Sequence, residues 1–301
     1  FFYFSFGVNY RKRKLYSKKI VHDEDLRQEI RARMFAYSDK VLNSGLLAEK
    51  HFNLEEFVRR SASSPLTANN SVKLLLNGEE KFPEVLKALE AAQHHIHLEY
   101  YIYEDDATGK SVADMLVKKA KEGVEVRFMY DDFGSNGLGR TFIKNLQEAG
   151  VQTAPFYKIK LLALASRLNY RNHRKIIVID GKTSFVGGIN MSDRYRNDHL
   201  AKTDLYWRDT HIMLHGAATA YLQYIFLCDW NFASNNKLIY SESYFPGPSP
   251  TKEIGKEIVQ LVPSGPDSDL PIIFYSLLGA IGAAKTKILI TSPYFIPGES
   301  L

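Results

Sequence analysis

Asn172-His173-Arg174-Lys175-Ile176-Ile177-Val178-Ile179-Asp180-Gly181-Lys182-Thr183-Ser184-Phe185-Val186-Gly187-Gly188-Ile189-Asn190 is the stretch on which the reading of this chain turns. Residues 174–180 are apolar and β-branched, which predicts a buried strand, with a turn at Gly181-Lys182 and a returning strand through Phe185 and Val186. Side chains alternate along a strand, so His173 and Lys175 share one face while Arg174 and Asp180 take the other. That parity lets the imidazole and the ammonium converge on one small anion such as a phosphate, and it sets Asp180 to brace the strand end. Gly187 and Gly188 permit close approach of the backbone, and Asn190 carries amide hydrogens for an anionic oxygen.

An imidazole beside an ammonium and an amide suits attack on a phosphodiester. His173 would act as nucleophile or acid/base, with Lys175, Asn190 and the backbone at Gly188 stabilising charge on the non-bridging oxygens. The scheme requires no metal and no other cofactor. His-x-Lys-x4-Asp by itself arises by chance in roughly a few per cent of chains of this size, as a His and a Lys at a strand entrance. Gly-Gly-x-Asn at a fixed offset argues against that reading.

Outward from this hairpin, strand-like and helix-like segments alternate: strands over 72–77, 95–103, 124–130 and 151–155, helices over 82–93, 111–122 and 140–149, and further strands around Lys175 and Thr210. The pattern predicts a layered α/β domain that begins near Ser71. Residues 23–64 read as helical, 61–70 as a polar linker containing Pro65, and 233–256, rich in Pro, Gly and Ser, as a second boundary.

The whole chain has 301 residues, 45% of them hydrophobic, a formal charge of +5 and a pI near 9.0. It is long enough for one large or two ordinary domains, and its charge favours acidic partners without choosing among phosphate, nucleic acid and anionic lipid. Six basic residues and no acid lie between Arg11 and Lys19, directly after the apolar run from Phe1 to Val8. That run is either a solvated basic tail or the point at which a transmembrane helix leaves the bilayer on the cytoplasmic side. The chain starts with Phe and the apolar run has too few residues to cross ~30 Å of hydrocarbon, so the second reading places the rest of a span upstream. Cys228 is the sole cysteine, which excludes an internal disulfide and a cysteine-based zinc site and fits a reducing compartment.

Residues 86–98 and 278–290 align without a gap: Leu86, Ala88, Ala91, Ala92 and Ile96 meet identical residues, and both copies read as a helix running into a strand. Any amphipathic helix before a strand shares some of this pattern, yet the match suggests a repeat whose second copy has barely begun at Leu301.

Other candidates are weaker. A catalytic imidazole needs a group on its other nitrogen, for which Asp209 and then Asp204 are available. Glu99 lies in a predicted core strand, where an acid must be paired or functional. His95 and His97 share a strand face beside His94, but without a nearby carboxylate they make a poor metal site. Asp132-Phe133-Gly134 has the letters of a kinase magnesium loop without the accompanying motifs and reads as a strand-to-helix loop. Residues 157–167, apolar with basic flanks, read as a core helix or as an interfacial segment beside the site.

The central stretch resembles the H-x-K-x4-D…G-(G/S)-x-N signature of the phospholipase D superfamily. Gly187-Gly-Ile-Asn-Met-Ser-Asp193 is similar to the first motif of bacterial cardiolipin synthases. The likeness extends to Asn9-Tyr-Arg-Lys-Arg-Lys14, Ile96-His-Leu-Glu-Tyr-Tyr-Ile102, Asn169-Tyr-Arg-Asn-His173, Tyr206-Trp-Arg-Asp-Thr-His211 and Pro293-Tyr-Phe-Ile-Pro297. It implies an α/β phospholipase D-like layered sandwich, a mixed β-sheet flanked by helices, as the first lobe of a pseudo-twofold repeat. Residues 1–20 would be a membrane exit with its basic segment, 21–70 a helical linker, 71–240 the first lobe, and 241–301 an inter-lobe loop with the start of a second.

It also implies His173, Lys175 and Asp180 as the catalytic set, Asn190 and Gly188 at the phosphate, and Asp209 in the place of the orienting acid, with Glu99 behind. The expected reaction transfers a phosphatidyl group between two phosphatidylglycerol molecules through a phosphohistidine, giving cardiolipin and glycerol at the cytoplasmic side of the bacterial inner membrane. The partners are anionic phospholipid, the membrane, a second lobe whose histidine falls near position 365 by the repeat offset, and a possible second copy of the chain; nucleic acid is not expected. Water as acceptor, giving a phosphodiesterase or nuclease, and an inert membrane-attached interaction module are the competing readings.

Overall fold

The computed structural model describes residues 24–46, 52–156, 171–198, 206–234, 236–247, 253–265 and 270–292. The apolar and basic start of the chain, residues 157–167, Asp204 and Pro293–Pro297 lie outside them. No helix among the described residues is long and apolar enough to cross a membrane.

Eight strands form one mixed sheet: β1 (Thr67–Leu76), β2 (His95–Tyr100), β3 (Glu125–Asp131), β4 (Gln152–Phe156), β5 (Lys175–Ile179), β6 (Thr183–Gly187), β7 (Thr210–Gly216) and β8 (Glu257–Val259). Their spatial order is β4-β3-β2-β5-β6-β7-β1-β8. β2, β3 and β4 run parallel, joined through α4 (Ala107–Lys121) and α5 (Arg140–Glu148), as parallel neighbours require a crossover. From β5 onward the pairing is antiparallel, with β5 between β2 and β6. The apolar run that predicted a buried strand therefore sits mid-sheet, and Ile176 to Ile179 are buried on both faces.

Helices cover the two faces. α3 (Asn77–Glu90), α4 and α5 cover one, over a core that includes Val85, Leu89, Ile96, Leu98, Leu116, Phe128, Ile177 and Phe185. On the other, α6 (Thr219–Ala233) lies across the sheet with Leu222, Ile225, Phe226 and Trp230 against Met129, Ile176 and Val178. The helical stretch expected over 23–64 is two helices, α1 (Glu24–Leu42) and α2 (Phe52–Ala62). α1 does not stand apart as a linker, because Ile30 is 1% exposed in the α6 layer.

β1 starts five residues before the expected Val72, because the Thr67 hydroxyl and the Asn70 amide donate to carbonyls of β8 and extend the edge pairing. α7 (Ile272–Ala283) lies on α2, with Tyr275 edge-on to Phe57. The second half of the suspected repeat does not form the expected strand: residues 287–290 have no ladder partner among the described residues, and Ile288 and Ile290 are about half exposed. An extended segment without a neighbour has nothing to complete its hydrogen bonds.

Candidate active site

The site lies where β2 ends and β5 begins, on the face covered by α3. His173 lies two residues before the start of β5. Its ring leans on Tyr101 at 4.3 Å between centroids, and the Lys175 ammonium donates to its Nδ1 at 2.9 Å and to its carbonyl oxygen at 2.8 Å. With Nδ1 accepting, the proton of the neutral ring is on Nε2. Desolvation against its neighbours, then the Lys175 charge, hold the imidazole below its usual basicity. Burial pushes the Lys175 ammonium down to about 8, opposed by the Asp209 carboxylate. Around neutral pH the pair is thus a free base beside a cation, the combination that nucleophilic attack on a phosphodiester needs.

Register aligns a row of residues across this face: Tyr100 opposite Lys175, Gly187 opposite His211, and His211 opposite Leu75. Ile176 pairs with Val186, so Gly187 is the neighbour of Lys175 in β6. The two glycines are demanded by close approach. A Cβ on Gly187 would come within 2.6 Å of His211, and one on Gly188 would overlap the Asp209 carboxylate. Asp209 is fixed from behind by a two-way bond with Asn77, whose side-chain oxygen accepts from the Asp209 N–H at 3.0 Å and whose own N–H donates to the Asp209 carbonyl at 2.9 Å.

The other four expected site residues, Asp209, Asn190, Asp180 and Glu99, lie as follows. Asp209 makes no hydrogen bond to His173 among the described residues; its charge acts on Lys175 and on the buried Lys81. Asn190 is committed to its own loop, accepting from the Ile102 N–H at 3.2 Å and donating to the Tyr195 hydroxyl at 2.6 Å. Asp180, in the catalytic set by motif, is at the far end of β5, about 16 Å of strand from Lys175. It sits in the left-handed region at φ 52° and accepts from the N–H groups of Gln93, His94 and His95 at 2.8–2.9 Å, the bracing role that strand parity predicted. Glu99 pairs with Ile176 and so faces α6, away from Lys175. There it accepts from the Asn172 amide, and burial and then the neighbouring Asp229 raise its carboxyl well above the usual range.

Glu99 still bears on the site indirectly. Asn172 and Arg174 flank His173, and Arg174 pairs with Asp229 of α6 while its N–H donates to the Asn172 side chain at 3.0 Å. The backbone before β5 is tied again through Asp131, which accepts from the N–H groups of Asn172, Phe133 and Gly134. The Asp132-Phe133-Gly134 triplet is thus part of the loop from β3 toward α5. His95 and His97 also face α6, bridged by Gln223 at 3.1 and 2.7 Å, and burial holds them neutral by lowering them to about 3 and about 4. No group of three metal-ligating side chains occurs among the described residues.

Sequence reasoning passed over Lys81 and His211. Lys81, in a polar Glu-Glu-Lys run that reads as a solvated helix start, is fully buried and donates to the Ile189 and Asn190 carbonyls at 2.8 and 3.2 Å. His211 is two residues beyond Asp209 and so on the same strand face, a parity signal that could have found it.

A mixed sheet under two helical layers, with a His-x-Lys pair at the start of a central strand and a Gly-Gly loop beside it, is the arrangement that the resemblance to phospholipase D-like domains led us to expect. Residues 85–213 match the family described as cardiolipin synthase, PLD-like domain. The chain is 40% identical over its whole length to the cardiolipin synthase of Alkalihalophilus pseudofirmus, spanning 58% of that protein. It is also 40% identical over 99% of its length to the major cardiolipin synthase ClsA of Bacillus subtilis, spanning 61% of it. Among solved structures it is similar to Nuc of Salmonella typhimurium, a phospholipase D family member, with 18% identity and a TM-score of 0.42 over 56% of this chain and 99% of that one.

Proposed function

We propose that this chain supplies the first His-Lys half of a cardiolipin synthase, which transfers a phosphatidyl group from one phosphatidylglycerol to another and releases glycerol. The observation that carries the reading is the Lys175 ammonium at 2.9 Å from a neutral His173 at the start of the central strand. The chain-wide likeness to proteins named cardiolipin synthase supports a lipid substrate.

A phosphodiester entering between the two side chains takes over the ammonium, which pairs with a non-bridging oxygen and frees the ring nitrogen. That nitrogen attacks phosphorus, the P–O bond to glycerol breaks, and the departing oxygen takes a proton from an acid in the second half, near position 365. The hydroxyl of a second phosphatidylglycerol then attacks the phosphatidyl-His173 intermediate, its proton returns to that same group, the N–P bond breaks, and cardiolipin leaves. Gly188 keeps Asp209 close to Lys175, and Asn190 shapes the loop around the phosphate. In this reading residues 1–20 lead from a span in the bacterial inner membrane to a catalytic lobe on its cytoplasmic side, where basic residues face anionic lipid.

The test uses the full-length protein that carries this chain, in phosphatidylglycerol vesicles, with lipids identified by mass spectrometry. Wild type should make cardiolipin and an acid-labile phosphorus adduct on the peptide containing His173, and His173→Ala should make neither. Phosphatidic acid as the main product would instead assign water as the acceptor, and undiminished synthesis by His173→Ala would remove His173 from the chemistry.

A further inference from the structure

His211 is a buried polar side chain, aimed at the site, that the mechanism above leaves unused. It is 0% exposed, and among the described residues neither of its ring nitrogens has a hydrogen-bond partner; the same holds for the equally buried Tyr100 hydroxyl. Its direction is set by Gly187. The row across the sheet runs Tyr100, Lys175, Gly187, His211, and a side chain at Gly187 would come within 2.6 Å of His211 Nδ1. The imidazole therefore lies over Gly187, in the space a side chain there would fill, leaning from its own strand toward Lys175.

The titratable and charged groups on this face are Lys81 from α3, Tyr100 from β2, His173 and Lys175 at the start of β5, and Asp209 at the start of β7. Burial and then the charges of Lys81 and Lys175 hold the His211 ring neutral, which leaves it one lone pair and one N–H. The Lys175 ammonium has three hydrogens and directs two of them at His173 Nδ1 and O.

We propose that His211 is a positioning residue whose lone pair takes the third Lys175 hydrogen, by a small ring rotation or across one internal water, and so keeps the ammonium charged and aimed at His173. Glycine at 187 is then the condition that lets an imidazole on β7 reach across β6 to a lysine on β5. The catalytic consequence rests on the phosphodiester-transfer reading; the effect on Lys175 itself does not.

The experiment measures Lys175 directly in the full-length protein, by competitive acetylation across neutral to alkaline pH with peptide mass spectrometry, beside the pH profile of lipid turnover. An acceptor that binds the charged form favours it, so its loss must lower the midpoint. In His211→Leu the labelling midpoint should fall from about 8 by roughly one pH unit, and kcat should fall about tenfold with KM within about threefold. His211→Gln, which returns an acceptor oxygen, should restore most of both. Because the ammonium left behind lacks one acceptor, His211→Leu should unfold at a somewhat lower temperature than wild type, with His211→Gln restoring it, and His211→Met takes the place of His211→Leu if that variant does not fold. A midpoint unchanged in both apolar variants overturns the proposal even where wild type makes cardiolipin. A shifted midpoint in a protein without lipid turnover retains the role of His211 and removes the functional reading instead.

Discussion

Two protonation states decide whether the His173–Lys175 pair can work, and both move from their ordinary values in a useful direction. His173 is lowered, chiefly by desolvation, so it is free of its proton at neutral pH; Lys175 is lowered to about 8 but stays an ammonium there. Activity should rise through an acidic limb below the usual imidazole value and fall through an alkaline limb near pH 8, measured as kcat/KM against pH. Lys175→Met should remove the alkaline limb together with about 10²–10⁴ of the rate. The residue pattern of this pair was legible in the sequence, because strand parity fixes which side chains share a face. Its surroundings were not. Lys81 has the neighbours of an exposed helix residue, and only the fold shows that Ile189 and Asn190 close over it.

At the scale of elements, β5 was readable from its β-branched run, and α6 was not. α6 is apolar all round, since it lies between the sheet and α1, so it has no period to betray it. α3 begins at Asn77, five residues before the expected Phe82, with Pro83 inside it; the sequence suggests a helix start at that proline. The packing of α6 on the sheet encloses Glu99, and this has a consequence for pH. Glu99 is raised well above its ordinary value in the folded protein, first by burial and then by Asp229. The folded state therefore holds a proton that the unfolded state releases, so stability is fully present below the unfolded carboxyl value and is lost as pH rises toward the folded one. Glu99→Gln keeps an acceptor for Asn172 and carries no charge to desolvate. Its unfolding temperature should exceed that of wild type at pH 7 and converge with it near pH 4, as followed by circular dichroism.

For the molecule as a whole, much of the exposed apolar surface among the described residues comes from one stretch of chain: Ile273, Phe274, Tyr275 and Leu277 of α7 and Ile288, Leu289 and Ile290 after it are all at least about a third exposed. Of these, Ile288 and Ile290 align with Ile96 and Leu98 of the first copy, which are fully buried. A surface of this kind drives association. Light scattering on the 301-residue chain should show oligomers, and a double Ile273→Lys, Leu289→Lys variant should run as a monomer with an unchanged circular dichroism spectrum. The sequence suggested a repeat but not the state of its second copy, because an isolated strand signal says nothing about whether a neighbour is there to pair with it. The sheet, by contrast, is indexed at one point. Asp180 fastens the end of β5 to the three amides that open β2, and a slip of one residue between these strands would turn Lys175 toward α6. The lobe is thus pinned at the end of its central strand remote from His173 and Lys175, so the registration that brings the reacting groups together is held about 16 Å away from them and does not depend on what binds beside them.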